Sequence, residues 1–332
     1  MINTKGLICN MKKFIEKVKA VVVGHAVGDA LGVPVEFATR AQLDNAPVLT
    51  MQGYGTHHVP KGCWSDDTSM SLATIDSLAN GINYDDMMKK FCMWLNNAQY
   101  TATQLTFDVG GTTYKALQRY QVGKLPALSC GLDGNRDNGN GSLMRIHPIV
   151  LYLANNDMPL EEKLQVVNNV SKLTHAHQIS EIACGTYAFL LWELLKNPTK
   201  DAVSVAMQKA RTFYGNCKHG DSFARLWLNV GRGYNLDAEG LLYPQLQKSQ
   251  IRSTGYVVDT FEAALWCLLH TNSFRDCVLT AVNLGDDTDT VAAIAGGLAG
   301  ALYGYDDIPQ TWKDTLIKRQ YIEDLCEKTY LN

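Results

Sequence analysis

The sequence has no paired cysteines. Its 9 cysteines are Cys9, Cys63, Cys92, Cys130, Cys184, Cys217, Cys267, Cys277 and Cys326, and none sits in a C-x-x-C pair. An odd number scattered over 332 residues is not a disulfide framework, and a reducing cytoplasm is the expected setting. A large excess of one charge is also missing. The 33 acidic and 30 basic residues leave a net charge of -3, so the basic footprint of a duplex-binding protein is absent and no nucleic-acid partner is expected. Long hydrophobic runs are scarce. The longest charge-free apolar stretch, residues 291–305, is shorter than the ~20 residues of a membrane span, so no membrane partner is expected. The first ten residues lack the apolar core and small-residue cleavage site of a signal peptide. They are expected to be a short tail, with one domain over residues 11–332. Glycine and proline, at 27 and 9, are ordinary in number, which excludes collagen-like and Pro/Gly-rich disordered classes. Alternating strand patterns are few.

What the chain does have is helical periodicity. Hydrophobic residues make up 46% and charged residues 19%, enough for a sizeable core and too few charges for intrinsic disorder. Phe14, Ile15, Val18, Val22 and Ala26 recur at three- and four-residue steps, which predicts one apolar stripe ending near Pro34. Ser65 has the chemistry of an N-cap for a helix reaching Gly81. Further helices are expected over residues 84–95, 159–173, 178–195, 202–214, 259–270, 274–284, 288–302 and 309–328, with loops over 44–62, 121–141 and 231–255. There is no internal repeat and no composition shift that would mark a linker. The expectation is therefore an all-α fold, a single multi-helix domain rather than the two that length alone suggests. No large apolar helix face forces association, so a monomer is expected.

The acidic residues are not evenly spread. Ser65-Asp66-Asp67-Thr68 and Gly285-Asp286-Asp287-Thr288-Asp289-Thr290 each open a predicted helix. N-capping accounts for one carboxylate in such a place. It does not account for neighbouring like charges, which repel. Carboxylates and hydroxyls without His or Cys are hard ligands, suited to Mg²⁺, Mn²⁺ or Ca²⁺ rather than zinc. If the clusters meet, Asp66, Asp67, Asp287 and Asp289 carry the charge that two divalent cations would cancel. Gly24, Gly28 and Gly32 strip one helix face, for a tight crossing or for ligand approach. Glu36 follows in the loop, where a solvated acid is the simpler reading. Asn138-Gly139-Asn140-Gly141-Ser142 allows positive φ. That suits either a plain turn or a nest of N–H groups for phosphate, with the Ser142 hydroxyl and the Arg145 charge close by. Asp108, beside Gly110 and Gly111, reads as a turn or cap acid. His175 and His177 are two residues apart and make a poor metal pair; His177 is expected at a helix C-terminus.

In series these stretches resemble the ADP-ribosylglycohydrolase family, in particular its arginine-directed, dinitrogenase-reductase-activating type. They are GDALGVPVEF (28–37), GCWSDDTSM (62–70), FDVGGTT (107–113), GNGSLMR (139–145), LTH (173–175), TGYVVDTFEAALWCLL (254–269) and NLGDDTDTVAAIAGGLAGALYG (283–304). The resemblance implies an all-α fold with a central two-metal cleft holding two Mg²⁺ or Mn²⁺. It implies Ser65, Asp66, Asp67, Asp287, Asp289 and Thr290 as ligands and Glu36 as an acid/base. It further implies Asp108 near a substrate guanidinium and, as an alternative to Glu36, as the catalytic group that handles protons, with Gly139, Asn140, Gly141 and Ser142 as a pyrophosphate cradle, His175 near the bound ADP-ribose and Tyr256 near adenine. The implied activity is hydrolysis of the bond between ADP-ribose and a protein side chain, arginine before serine. An ADP-ribosylated protein would be the partner and ADP-ribose the product. Sister branches handle serine-linked, polymeric or O-acetyl forms, and crystallin-like relatives only bind. Two positions depart from the family pattern: Gly111 stands where many relatives carry Asn, and His147 where a small apolar residue is common.

Overall fold

In a computed structural model, which describes residues 4–230 and 246–331, two helices stripped of side chains along one face form the axis of the molecule. The first, α1, runs Thr4–Gly32. It is followed by α2 (Arg40–Asn45), α3 (Asp66–Leu78), α4 (Tyr84–Asn97), α5 (Gly111–Gln121), α6 (His147–Ala154) and α7 (Leu160–Lys172). Then come α8 (Gln178–Lys196), α9 (Lys200–Tyr214), α10 (Ala224–Val230), α11 (Val257–His270), α12 (Phe274–Val282), α13 (Thr288–Tyr303), α14 (Gln310–Thr315) and α15 (Arg319–Tyr330). Among the described residues there are no strands, only three isolated backbone bridges. The fold is all-α and a single domain.

The axis is the crossing of α1 and α13. A Cβ added at Gly24 would lie 2.5 Å from the carbonyl oxygen of Gly296, one at Gly28 2.0 Å from that of Ala292, and one at Gly32 2.4 Å from the Cα of Asp289. The contact is reciprocal: a Cβ at Gly300 would meet the Ala20 oxygen at 2.0 Å. Each helical glycine costs ~1 kcal/mol in propensity, which backbone-to-backbone packing offsets. Of the two readings of this glycine face, helix crossing is the one observed. Within Met11–Val35 lies a window apolar enough to cross a membrane, with mean hydropathy 1.4, but 89% of it is buried inside the fold. Its valines and alanines are core.

Around this axis α8 and α11 are buried on nearly every side, while α7 and α9 turn charged faces outward. Several boundaries differ from expectation. The first helix begins at Thr4, so Met11 does not start an element. The expected helix over 309–328 is two, broken where Lys318 adopts φ 52. Helices α2, α5, α6 and α10 lie outside the expected helical ranges. Of the expected loop over 231–255, residues 231–245 lie outside the described residues. His177 caps the N-terminus of α8, its Nδ1 accepting from the Ile179 N–H at 3.2 Å, and does not end a helix.

Candidate active site

The two acidic clusters sit at the N-termini of α3 and α13, and the α1–α13 crossing brings them together. Ser65 caps α3: its Oγ accepts from the Asp67 N–H at 3.4 Å. Thr290 reaches across, its Oγ1 donating to Asp67 Oδ2 at 3.3 Å. Asp29, one turn before the end of α1, accepts from the Ser65 N–H at 2.9 Å and from the Thr68 hydroxyl at 2.6 Å. It pins the α3 N-terminus to α1. Carboxylate oxygens of Asp29, Asp67 and Asp289 lie within 4.8 Å of one another, as do those of Glu36, Asp287 and Asp289. Asp286 instead faces solvent.

Burial without a counter-charge shifts these acids. Desolvation, with repulsion from neighbouring carboxylates, holds Asp66, Asp67 and Asp289 well above the usual range, and desolvation pushes Asp29 up to about 6. Asp67 Oδ1 and Asp289 Oδ2 are buried and have no hydrogen-bond partner among the described residues. Orphaned, crowded carboxylate oxygens are the donor set a hard divalent cation needs, so the residues fit one. Capping alone leaves those atoms unexplained.

A cleft of about 270 Å³ is lined by Glu36, Asp66, Asp108, Asp287 and Thr290 together with Gly139, Asn140, Gly141 and His175. Glu36 is 5% exposed, not the solvated loop acid of the simpler reading. Its loop is stitched to the α13 entry: the Phe37 N–H donates to the Asp286 carbonyl and the Asp286 N–H to the Ala38 carbonyl, both at 2.8 Å. Burial raises the Glu36 carboxyl to about 7, against a hydrogen bond to His57 that lowers it. Phe37, Asp108 and Asp286 take φ 64, 54 and 69. Non-glycine residues in that region cost of order 1 kcal/mol each and concentrate at functional sites.

The glycine-rich segment departs from the expected nest. Gly139, Asn140 and Gly141 have no positive φ. The Asn140 N–H is committed to the Gly255 carbonyl at 3.0 Å. Its side-chain Nδ2 donates to Thr260 Oγ1 at 3.0 Å and to Asp287 Oδ2 at 2.8 Å, so Asn140 holds the acid cluster. Gly141 is needed for space, since a Cβ there would lie 2.8 Å from His175 Cε1. The Ser142 hydroxyl turns into the core, accepting from Ser171 Oγ at 2.9 Å. Arg145, fully buried, donates to Thr174 Oγ1 at 2.6 Å and to the Val170 carbonyl at 3.3 Å; its charge is an internal strut and does not reach the cleft. Tyr256 caps α11 and pairs its backbone with Gly139; its ring is half-buried outside the cleft lining. His147 packs on His25 with ring centroids 4.4 Å apart, both buried beneath the site. Sequence reasoning passed over Asp29 and His57. A lone acid in an otherwise apolar helical stripe was a readable signal for Asp29; His57 offered none.

Comparison with known proteins agrees with this geometry. The family model described as ADP-ribosylglycohydrolase matches residues 10–332. The ADP-ribosylarginine hydrolase Tri1 of Serratia proteamaculans (strain 568) is 31% identical over 334 residues, covering 99% of this chain and 83% of that protein. The ADP-ribosyl-[dinitrogen reductase] glycohydrolase of Rhodospirillum rubrum is 30% identical over 298 residues, covering 89% and 88%. A solved structure described as an ADP-ribosylglycohydrolase-related protein complex superposes with a TM-score of 0.77 at 30% identity, over 96% of this chain and 99% of that one. The all-α fold is thus a known architecture, and the chain belongs to the ADP-ribosylglycohydrolase family.

Proposed function

We propose that this chain hydrolyses the bond between C1″ of ADP-ribose and a protein side chain, arginine by preference, releasing ADP-ribose and the restored side chain. The observation that carries the reading is the meeting of two acid-bearing helix N-termini at a cleft that Glu36, Asp108 and the Gly139–Gly141 turn also line. The lean to arginine rests on the relatives named for that linkage and on Asp108, an anion at the cleft wall suited to a guanidinium.

Ser65, Asp66, Asp67, Asp287, Asp289 and Thr290 would hold two divalent cations, Mg²⁺ or Mn²⁺. When bound, these supply orientation of the ribose hydroxyls and polarisation of its oxygens. Asn140 and Thr290 keep Asp287 and Asp67 in place. As the C1″–N bond lengthens, positive charge grows on the ribose, and the Asp108 and Glu36 carboxylates stabilise it. Glu36, one of whose carboxylate oxygens has no hydrogen bond among the described residues, takes the proton of the attacking water or delivers one to the departing guanidine. His175 offers a ring nitrogen to the pyrophosphate side of the cleft. Every cysteine from Cys63 to Cys326 is a free thiol, as suits a cytoplasmic protein.

The test is release of ADP-ribose from a protein modified on arginine, with a serine-linked sample beside it, each in Mg²⁺ and in EDTA. Metal-dependent release from arginine alone is expected. Asp287→Ala should lose most of it, roughly a hundredfold or more. Release from serine alone would overturn the linkage, and ADP-ribose binding without release would make the protein a binding module.

A further inference from the structure

We propose that His57 is a positioning residue for Glu36, fixing the orientation of its carboxylate so that a single oxygen faces the reacting bond. The proposal rests on the reading of Glu36 as the group that moves the proton. His57 Nε2 is hydrogen-bonded to Glu36 Oε2. Glu36 Oε1 makes no hydrogen bond among the described residues, so one oxygen is tied and the other is available. His57 does not line the cleft and its side chain is 15% exposed. Its contact with the site is made through Glu36, whose carboxylate lines the cleft.

The surrounding backbone is shaped to hold the imidazole there. His57 ends a tight turn, Gly55–His57, closed by the Tyr54 N–H to the Val59 carbonyl at 2.6 Å. Gly55 has φ +55, and a Cβ there would lie 1.8 Å from the Pro34 carbonyl oxygen. No other residue lets this turn slide under the Glu36 loop. Thr56 Oγ1 then donates to the Glu36 carbonyl at 2.8 Å. The turn thus holds both the backbone and the side chain of Glu36. Phe107 backs the imidazole with ring centroids 5.0 Å apart, and His57, Glu36 and Asp108 have ligand atoms within 4.8 Å of one another. A residue that only filled space would not need a nitrogen at that point; a carboxylate with a single working oxygen does.

The experiment compares His57→Phe, which keeps the ring against Phe107 and removes the nitrogen, with His57→Gln, which restores an N–H at a similar reach. In H57F, kcat should fall roughly tenfold to a hundredfold, while KM and ADP-ribose affinity stay within about twofold. H57Q should regain most of the lost kcat. Unchanged kcat in H57F, equal loss in H57Q, or a change confined to KM would overturn the proposal. The series is run on whichever linkage the wild-type protein cleaves, so a wrong substrate assignment shows in the wild type and not in the variants. A crystal structure of H57F gives a readout that needs no turnover. Glu36 swung to another rotamer supports the role, and Glu36 unmoved overturns it.

Discussion

At the scale of single residues, the cleft is built by side chains that hold other side chains. Arg145 can only donate, so Thr174 Oγ1 accepts from it; the Thr174 hydroxyl has no other acceptor among the described residues, so its proton goes to His175 Nδ1, 2.8 Å away. His175 then carries its proton on Nε2, the atom next to Gly139 and Gly141. Burial lowers its pKa to about 3, which makes it a neutral donor with a fixed tautomer. Thr174→Val keeps the shape and removes both bonds. It should weaken ADP-ribose binding about tenfold, the worth of one buried hydrogen bond, and shift the His175 ring nitrogens between tautomeric signals in ¹⁵N NMR. Thr174→Ser should restore both. Binding within about twofold of wild type in T174V would show that the tautomer is set elsewhere.

At the scale of elements, the site depends on the distance between two backbones. Gly28→Ala gains ~1 kcal/mol of helix propensity. Its Cβ must also fit 2.0 Å from a carbonyl oxygen of α13 that cannot rotate away. The clash wins, at ~1–3 kcal/mol, a loss of several degrees in Tm. Because Asp29 and Asp289 lie within a turn of that contact, divalent-cation affinity should fall as well; a Tm loss with unchanged affinity would uncouple the crossing from the site. The glycine face, the long helices and the acid pairs opening α3 and α13 were legible, because each is a local pattern with one period or one cap. The meeting of Asp67 with Thr290 was not, since no periodicity links residues so far apart in the chain. Short helices escaped for the same reason: α5 opens on Gly111 without a side-chain cap, and α6 is 8 residues long. The break at Lys318 has no glycine to announce it. The Gly139–Ser142 segment was correctly marked as special but for the wrong cause. Gly141 makes room for His175, and neither Gly139 nor Gly141 turns through positive φ.

At the scale of the whole molecule, two sets of buried groups pull stability in opposite directions as pH changes. Burial lowers His25 and His175 to about 3 and holds His147 well below the usual histidine range. Below ~6.5 the unfolded chain takes up protons that the folded state refuses, so acidification costs ~1.4 kcal/mol per pH unit for each such histidine. The site carboxylates act the other way. Asp29 at about 6 and Glu36 at about 7 are raised. In the cation-free protein they therefore favour folding below ~4, and that contribution is lost as pH rises through 6 to 7. Cations bind the ionised carboxylates and must displace protons from any that are not. Divalent cation should accordingly raise Tm strongly at about pH 7.5, where occupancy at 100 times Kd contributes ~2.7 kcal/mol per site, and little at about pH 5, where protons compete. Thermal melts in Mg²⁺, Mn²⁺ or EDTA across that range check this. A cation shift of equal size at both ends would mean that the ions bind elsewhere than on these acids.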